Sequence, residues 1–189
     1  MEIRDLNEAQ IRAAYGAHLM HDFPDDERKP LRMILSALAN GSYRCLGMFD
    51  GQQLCAYAFL VSVRHNVQTD YLLDYFAVLS GLRGKGFGTQ FLAGLKQEIP
   101  DASSLLIEIE DPADAAGEEQ ALRRRRAAFY FRCGCVDTGV RACVFGVRYI
   151  LLELPMQSVH AKEKVQEIYL RLYRQVLQKE QYQNKIAFL

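Results

Sequence analysis

An α/β (α+β) domain, a sheet with helices on its faces, is predicted by three features of this 189-residue chain. Strand-like apolar runs and segments of helical apolar spacing follow one another along its length. Asp50-Gly51 stands between two strand-like runs, a strong hairpin signal. Arg83-Gly84-Lys85-Gly86-Phe87-Gly88 follows a third apolar run, Tyr71 to Leu79, and opens a helical one, Thr89 to Ile99.

Residues 7–20 and 27–40 carry apolar side chains at helical spacing, joined by His21-Asp22-Phe23-Pro24-Asp25-Asp26-Glu27, where Pro24 and the acids suit a loop entering a helix. Strands are expected at Tyr43 to Asp50, Leu54 to Val63 and Asp70 to Leu79. Beyond the glycine loop and its helix, Leu105 to Glu110 reads as a strand that stops at Asp111-Pro112. A helix from Glu118 to Arg132 follows, then one or two strands between Val136 and Leu154. The tail from Val159 to Tyr182 reads as a helix whose apolar stripe is Val165, Ile168, Tyr169, Leu172 and Val176. That stripe must be covered, and packing on the same domain is expected, with dimerisation as the other solution. The division is thus a main domain over residues 1–155 and a helical extension over 156–189 packed upon it.

Composition narrows the function. Lys plus Arg and Asp plus Glu are 23 each, a balance that argues against a nucleic-acid binder. The start, Met1-Glu2-Ile3-Arg4-Asp5, has no apolar core region, and Arg148 interrupts the apolar stretch from Cys143 to Leu154, so neither a signal peptide nor a membrane span is expected. The five cysteines include Cys133-x-Cys135, but no second pair of ligands lies nearby. Free thiols in a reducing cytoplasm, without a metal, are the expectation.

The glycine loop reads as an anion site. The first turn of a helix leaves backbone N–H groups without intrahelical partners, the helix dipole adds partial positive charge, and Arg83 and Lys85 add more. A P-loop would require Ser or Thr after Lys85, where Gly86 stands. The dinucleotide fingerprint would require a third glycine or alanine where the chain has Thr89 or Phe91; only Glu108 lies at a suitable distance downstream.

The pattern that fits is Arg-x-x-Gly-x-Gly preceded by Phe76-Ala77-Val78, accompanied by Phe129-Tyr130 and Cys133-Gly134. From about Leu72 to Gly134 the chain resembles the GNAT superfamily of acyl-CoA-dependent N-acyltransferases. The resemblance implies a single domain with a central mixed, mostly antiparallel twisted sheet, and acetyl-CoA as co-substrate. It implies that Arg83, Gly84, Lys85, Gly86, Phe87, Gly88 and Thr89 hold the pyrophosphate. Phe76, Ala77 and Val78 would pair with the pantetheine arm, a backbone N–H near Val78 serving the thioester oxygen. Tyr130 takes the position of the general acid; otherwise it is a core tyrosine.

The base is left open. Histone-type members carry a glutamate where this chain has Leu72, so Asp74, Glu108 and Glu110 are the candidates. A carboxylate in an apolar strand needs a partner, water or substrate, and an ion pair or exposed face is the alternative to catalysis. Arg123-Arg124-Arg125-Arg126 sweeps most of a helix circumference. With Ala121, Leu122, Ala128 and Phe129 as the apolar side, Arg125 is expected to pair with Glu108 or Glu110, and Arg126 to line a cleft beside Tyr130. Phe23 and Glu27 are placed with Arg126 in the acceptor pocket. The acidic clusters at 22–27 and 108–119 would favour a cationic amine if they border that pocket; otherwise they are solvated loops. Attack through Cys133 or Cys135 ranks below direct attack by the amine, since no histidine accompanies them. The expected function is transfer of an acetyl group to a primary amine, on a small molecule or a peptide, in a ternary complex. A non-catalytic acyl-CoA-binding module and a nucleotide-binding protein are the alternatives.

Overall fold

Alternating strand and helix signals condense into one predominantly antiparallel sheet in the computed structural model, which describes residues 1–176 and 185–189. Its strands are β1 (Glu2–Asp5), β2 (Tyr43–Asp50), β3 (Gln53–His65), β4 (Gln68–Val78), β5 (Ala102–Glu110), β6 (Val136–Val144), β7 (Val147–Leu154) and β8 (Ile186–Phe188). Their order is β1-β2-β3-β4-β5-β7-β6-β8. The chain divides into two compact units, Met1–Ser62 with Leu73–Pro100, and Val63–Leu72 with Asp101–Leu189.

In the first unit, β2 and β3 form the expected hairpin, Asp50 pairing with Gln53 around Gly51-Gln52. β3 is buried from Cys55 to Ser62. β1 pairs antiparallel with β2 and was not expected, being four residues long and charged at three of them. The single helix expected over 7–20 is three pieces: α1 (Glu8–Ala14), a π-helical segment (Tyr15–Leu19) and the short α2 (Met20–Asp22). Asn7 and Gln10 cap α1 reciprocally. The helix expected over 27–40 begins only at α3 (Leu31–Ala39), after a 3-10 turn at Asp25–Glu27. Pro30 is the reason, because a proline disfavours helical geometry in the residue before it. α4 (Phe87–Glu98) packs against β1 at Gly94, where a Cβ would lie 2.5 Å from Ile3 Cδ1. At its C-terminal end the Arg44 guanidinium donates to the Glu98 carbonyl, as the helix dipole favours.

In the second unit, the region from Val136 to Leu154 is a β6–β7 hairpin, with β7 also pairing antiparallel with β5 and β6 with β8. α5 (Gly117–Arg132) follows β5, and α6 (Lys162–Val176) follows β7. The expected stripe on α6 is buried at Val165, Ile168, Tyr169 and Leu172, and α6 packs on β6. Its expected continuation to Tyr182 lies outside the described residues. Among the described residues, two carboxylates are fully buried here. Asp70 accepts hydrogen bonds from the Ser103 and Ser104 hydroxyls and lies 3.0 Å from His65 Nε2 and 2.9 Å from an Arg171 nitrogen. Glu153 lies 2.6 Å from His160 Nδ1 and accepts from the His160 N–H at 3.0 Å. Among the described residues, no helix is long and apolar enough to cross a membrane.

Candidate functional site

β4 carries the chain into the glycine loop. After Val78, Leu79 donates its N–H to the Cys55 carbonyl at 3.0 Å, a 3-10 turn spans Ser80–Leu82, and Gly86 caps α4. Gly84 and Gly86 have φ of 76° and 85°, a left-handed region that side-chain-bearing residues rarely enter. Space is not the constraint, since a Cβ on Gly84 would meet nothing within 4 Å and one on Gly86 only Gln90 Nε2 at 3.8 Å. No side chain caps α4, which begins at Phe87 and Gly88, in the first turn where backbone amides lack intrahelical partners. Lys85 and Thr89 are exposed, Phe87 is half-buried and Gly88 is buried. Lys85 Nζ reaches the Gly81 carbonyl at 3.1 Å. Arg83 donates from Nε to the Val78 carbonyl at 3.0 Å and from Nη2 to Asp22 Oδ1 at 2.6 Å. Along β4 the Phe76 ring lies 5.4 Å from that of Phe91 on α4, Ala77 is buried and Val78 half-buried.

Four residues before Val78, Asp74 accepts from Lys29 Nζ at 2.6 Å and from the Tyr43 hydroxyl. Lys29 Nζ also stands 5.5 Å from the Tyr75 ring centre. The Tyr75 ring packs edge-on against Phe23 at 5.0 Å and Phe59 at 6.2 Å. Its hydroxyl donates to the Glu27 carbonyl and accepts from the Lys29 N–H. Burial, then the Asp74 charge, pushes that phenol up to about 12. Tyr15, brought round by the π-helical segment, donates to the Lys29 carbonyl at 3.0 Å. The segment from Phe23 to Lys29 is thereby pinned, with Phe23 half-buried and the Glu27 side chain exposed.

The second unit holds the remaining candidates. Tyr130 is 8% exposed on α5. Burial raises its pKa well above the usual 10, with Arg126 pulling the other way. Just beyond, the Gly134 N–H bonds the Phe131 carbonyl and the Cys135 N–H the Tyr130 carbonyl, with φ of 87° at Gly134. This is a Schellman helix stop, so the Cys133-Gly134 part of the motif ends the helix that presents Tyr130. Glu110 is held by Arg123 at 2.7 Å and Arg126 at 2.9 Å. Glu108 accepts from the Tyr173 hydroxyl at 2.6 Å and from Tyr169.

The expected partner Arg125 is exposed, and Arg123 takes its place. The buried face of α5 runs through Ala127 and Tyr130, four and seven positions after Arg123, rather than through Ala121 and Leu122. Arg125→Glu is accordingly expected to change stability by less than about 0.5 kcal/mol. Arg123→Ala should cost about 1 to 2 kcal/mol by leaving Glu110 half-satisfied, as urea unfolding would read.

No family model and no curated protein matches the sequence. Solved structures do match. One of the GNAT family from Bacteroides thetaiotaomicron aligns with TM-score 0.68 at 16% identity, over 92% of this chain and 96% of that one. The ribosomal-protein-S18-alanine N-acetyltransferase of Escherichia coli aligns at 0.59 and 18%, over 84% and 96%. A Bacillus subtilis acetyltransferase in complex with CoA aligns at 0.56 and 17%, over 82% and 97%. The chain has the GNAT fold. Within the GNAT fold of this chain, the first unit brings together the glycine loop, Phe76–Val78, Asp74, Phe23 and Glu27, and the second brings together Tyr130, Arg126 and Glu110. Glu108 is set apart from that second group by its bonds to α6. Sequence reasoning missed Asp22 as the partner of Arg83, and Lys29 and Tyr43 as partners of Asp74. Those pairs are 61, 45 and 31 positions apart, and no local signal marks them.

Proposed function

We propose that the chain is an acetyl-CoA-dependent N-acetyltransferase acting on a primary amine of a small molecule or peptide, by direct attack in a ternary complex. The observation that carries this is the Arg83–Thr89 loop, whose two left-handed glycines lead into an uncapped helix start with open space before it. The GNAT-fold neighbours from E. coli and B. subtilis, an N-acetyltransferase and an acetyltransferase bound to CoA, support the reading. Bound acetyl-CoA would supply the activated thioester. The amides of Arg83 to Thr89 would hold its pyrophosphate and Phe76, Ala77 and Val78 its pantetheine arm, the Val78 carbonyl keeping one lone pair beside the Arg83 bond.

In this proposal Tyr130, kept protonated by burial, hands its proton to the departing thiolate. Asp74 draws in the amine and takes its proton, with Phe23 and Glu27 shaping the acceptor side. Asp74 is preferred to Glu108 and Glu110 because it shares β4 with the pantetheine residues, whereas they anchor α6 and α5. Asp74→Asn is expected to lower kcat/KM about 10²-fold, within the range of general base catalysis. Glu108→Gln should instead show its effect in thermal unfolding. Five free thiols suit a reducing cytoplasm as the place of action.

The test is calorimetric titration with acetyl-CoA, with desulfo-CoA and NAD as comparators, followed by thiol release against a panel of primary amines. Binding with amine-dependent release supports the transferase. Binding without release would favour a non-catalytic acyl-CoA module, and absence of CoA binding would overturn the reading of the loop.

A further inference from the structure

We propose that Asp22 is a positioning residue that competes with the acetyl-CoA phosphates for Arg83, coupling the glycine loop to the acceptor-side segment; this rests on the acyltransferase reading of that loop. The Asp22 carboxylate is 14% exposed at the end of α2 and is held on both oxygens. The Tyr57 hydroxyl, rooted in buried β3, donates to Oδ2 at 3.0 Å, and Arg83 Nη2 donates to Oδ1 at 2.6 Å. Arg83, 57% exposed, also bonds the Val78 carbonyl through Nε. One guanidinium therefore joins the end of β4, the start of the glycine loop and the end of α2. The next residue, Phe23, packs on Tyr75.

The electrostatics have two sides. The carboxylate neutralises the first cation of an anion-binding loop, so it opposes the arrival of phosphate. The same ion pair fastens α2, and with it Phe23, to the loop. A phosphate that competes for Arg83 must share the guanidinium with Asp22, whose other oxygen stays on Tyr57. Removal of the Asp22 charge should therefore move the two ligands in opposite directions, an outcome that a purely structural role would not produce.

The experiment measures acetyl-CoA affinity by calorimetry and amine KM by thiol release, for the wild-type chain, Asp22→Asn and Asp22→Glu. Asp22→Asn is expected to tighten acetyl-CoA by about two- to fivefold at low salt, the scale of one exposed ion pair. The gain should shrink towards 1 M salt, where the screening length falls to about 3 Å. Amine KM should rise several-fold, and Asp22→Glu should restore both values towards wild type. Arg83→Lys, which keeps the charge but cannot bridge Asp22 and Val78, should likewise raise amine KM, and supplies the test should Asp22→Asn fail to fold. Wild-type binding of acetyl-CoA with an unchanged or weakened affinity in Asp22→Asn would overturn the coupling, as would an unchanged amine KM in Arg83→Lys. Failure of the wild-type chain itself to bind acetyl-CoA would instead overturn the loop reading on which the coupling stands.

Discussion

Tyr130→Phe is expected to lower kcat by about 10²- to 10⁴-fold, the range supplied by a positioned acid, with acetyl-CoA affinity unchanged. The substitution keeps a ring that is 8% exposed and removes one hydroxyl oxygen. Folding stability should therefore move by less than about 0.5 kcal/mol, which separates loss of chemistry from loss of structure. Single-turnover kinetics would read the step directly, and an unchanged rate would remove Tyr130 from the mechanism. Burial raises the Tyr130 pKa above 10, so the phenol is a proton donor throughout the neutral range. No alkaline loss of kcat below about pH 10 should trace to it. For stability the same direction holds at Tyr43, Tyr57, Tyr75, Tyr169 and Tyr173, all raised first by burial. Their contribution is fully present below about pH 10 and is lost as pH rises through the folded values, so thermal stability should fall steeply beyond that point.

Asp70→Ala is expected to destabilise the chain by about 3 kcal/mol, because it strips a fully buried carboxylate from two hydroxyls, a histidine and an arginine. His65 and Arg171 are 31% and 27% exposed and can recover some solvation, which keeps the cost near the lower end for a broken buried pair. Urea unfolding should show a lower midpoint with an unchanged slope. A midpoint equal to wild type would show that the cluster carries no net stability.

The extent to which the sequence revealed the structure depends on how local each cause is. Asp50-Gly51, the glycines of the loop, and the helix stop at Gly134 act within a few residues, and the hairpin, α4 and α5 were legible from them. Gly134 also explains why the second motif was readable: its glycine ends a helix. β1 escaped because Glu2-Ile3-Arg4-Asp5 owes its conformation to β2 rather than to its own propensity. The register of the arginine run escaped because its apolar neighbours alone point to Arg125, whereas the carboxylate on β5 selects Arg123 and Arg126, three apart on one helix face. The candidate site was legible in its backbone parts, where glycine and strand patterns are local. It was opaque in its charge pairs, since the partners of Asp74 and Arg83 come from distant strands and loops.

The π-helical segment at Tyr15–Leu19 gives this chain a particular sensitivity to length. A π turn holds more backbone per turn than an α turn, so it acts as one surplus residue accommodated without a loop. Deleting Gly16, whose surroundings are empty, would let the α-helical repeat run through. The residues beyond it as far as Asp22 would keep their facing, because only the surplus residue is lost. A single-residue deletion there should therefore leave Asp22 facing Tyr57 and Arg83, whereas one further inserted residue, with no second π turn to absorb it, would turn Asp22 by about 100° about the helix axis, so that this segment tolerates a change of length in one direction only.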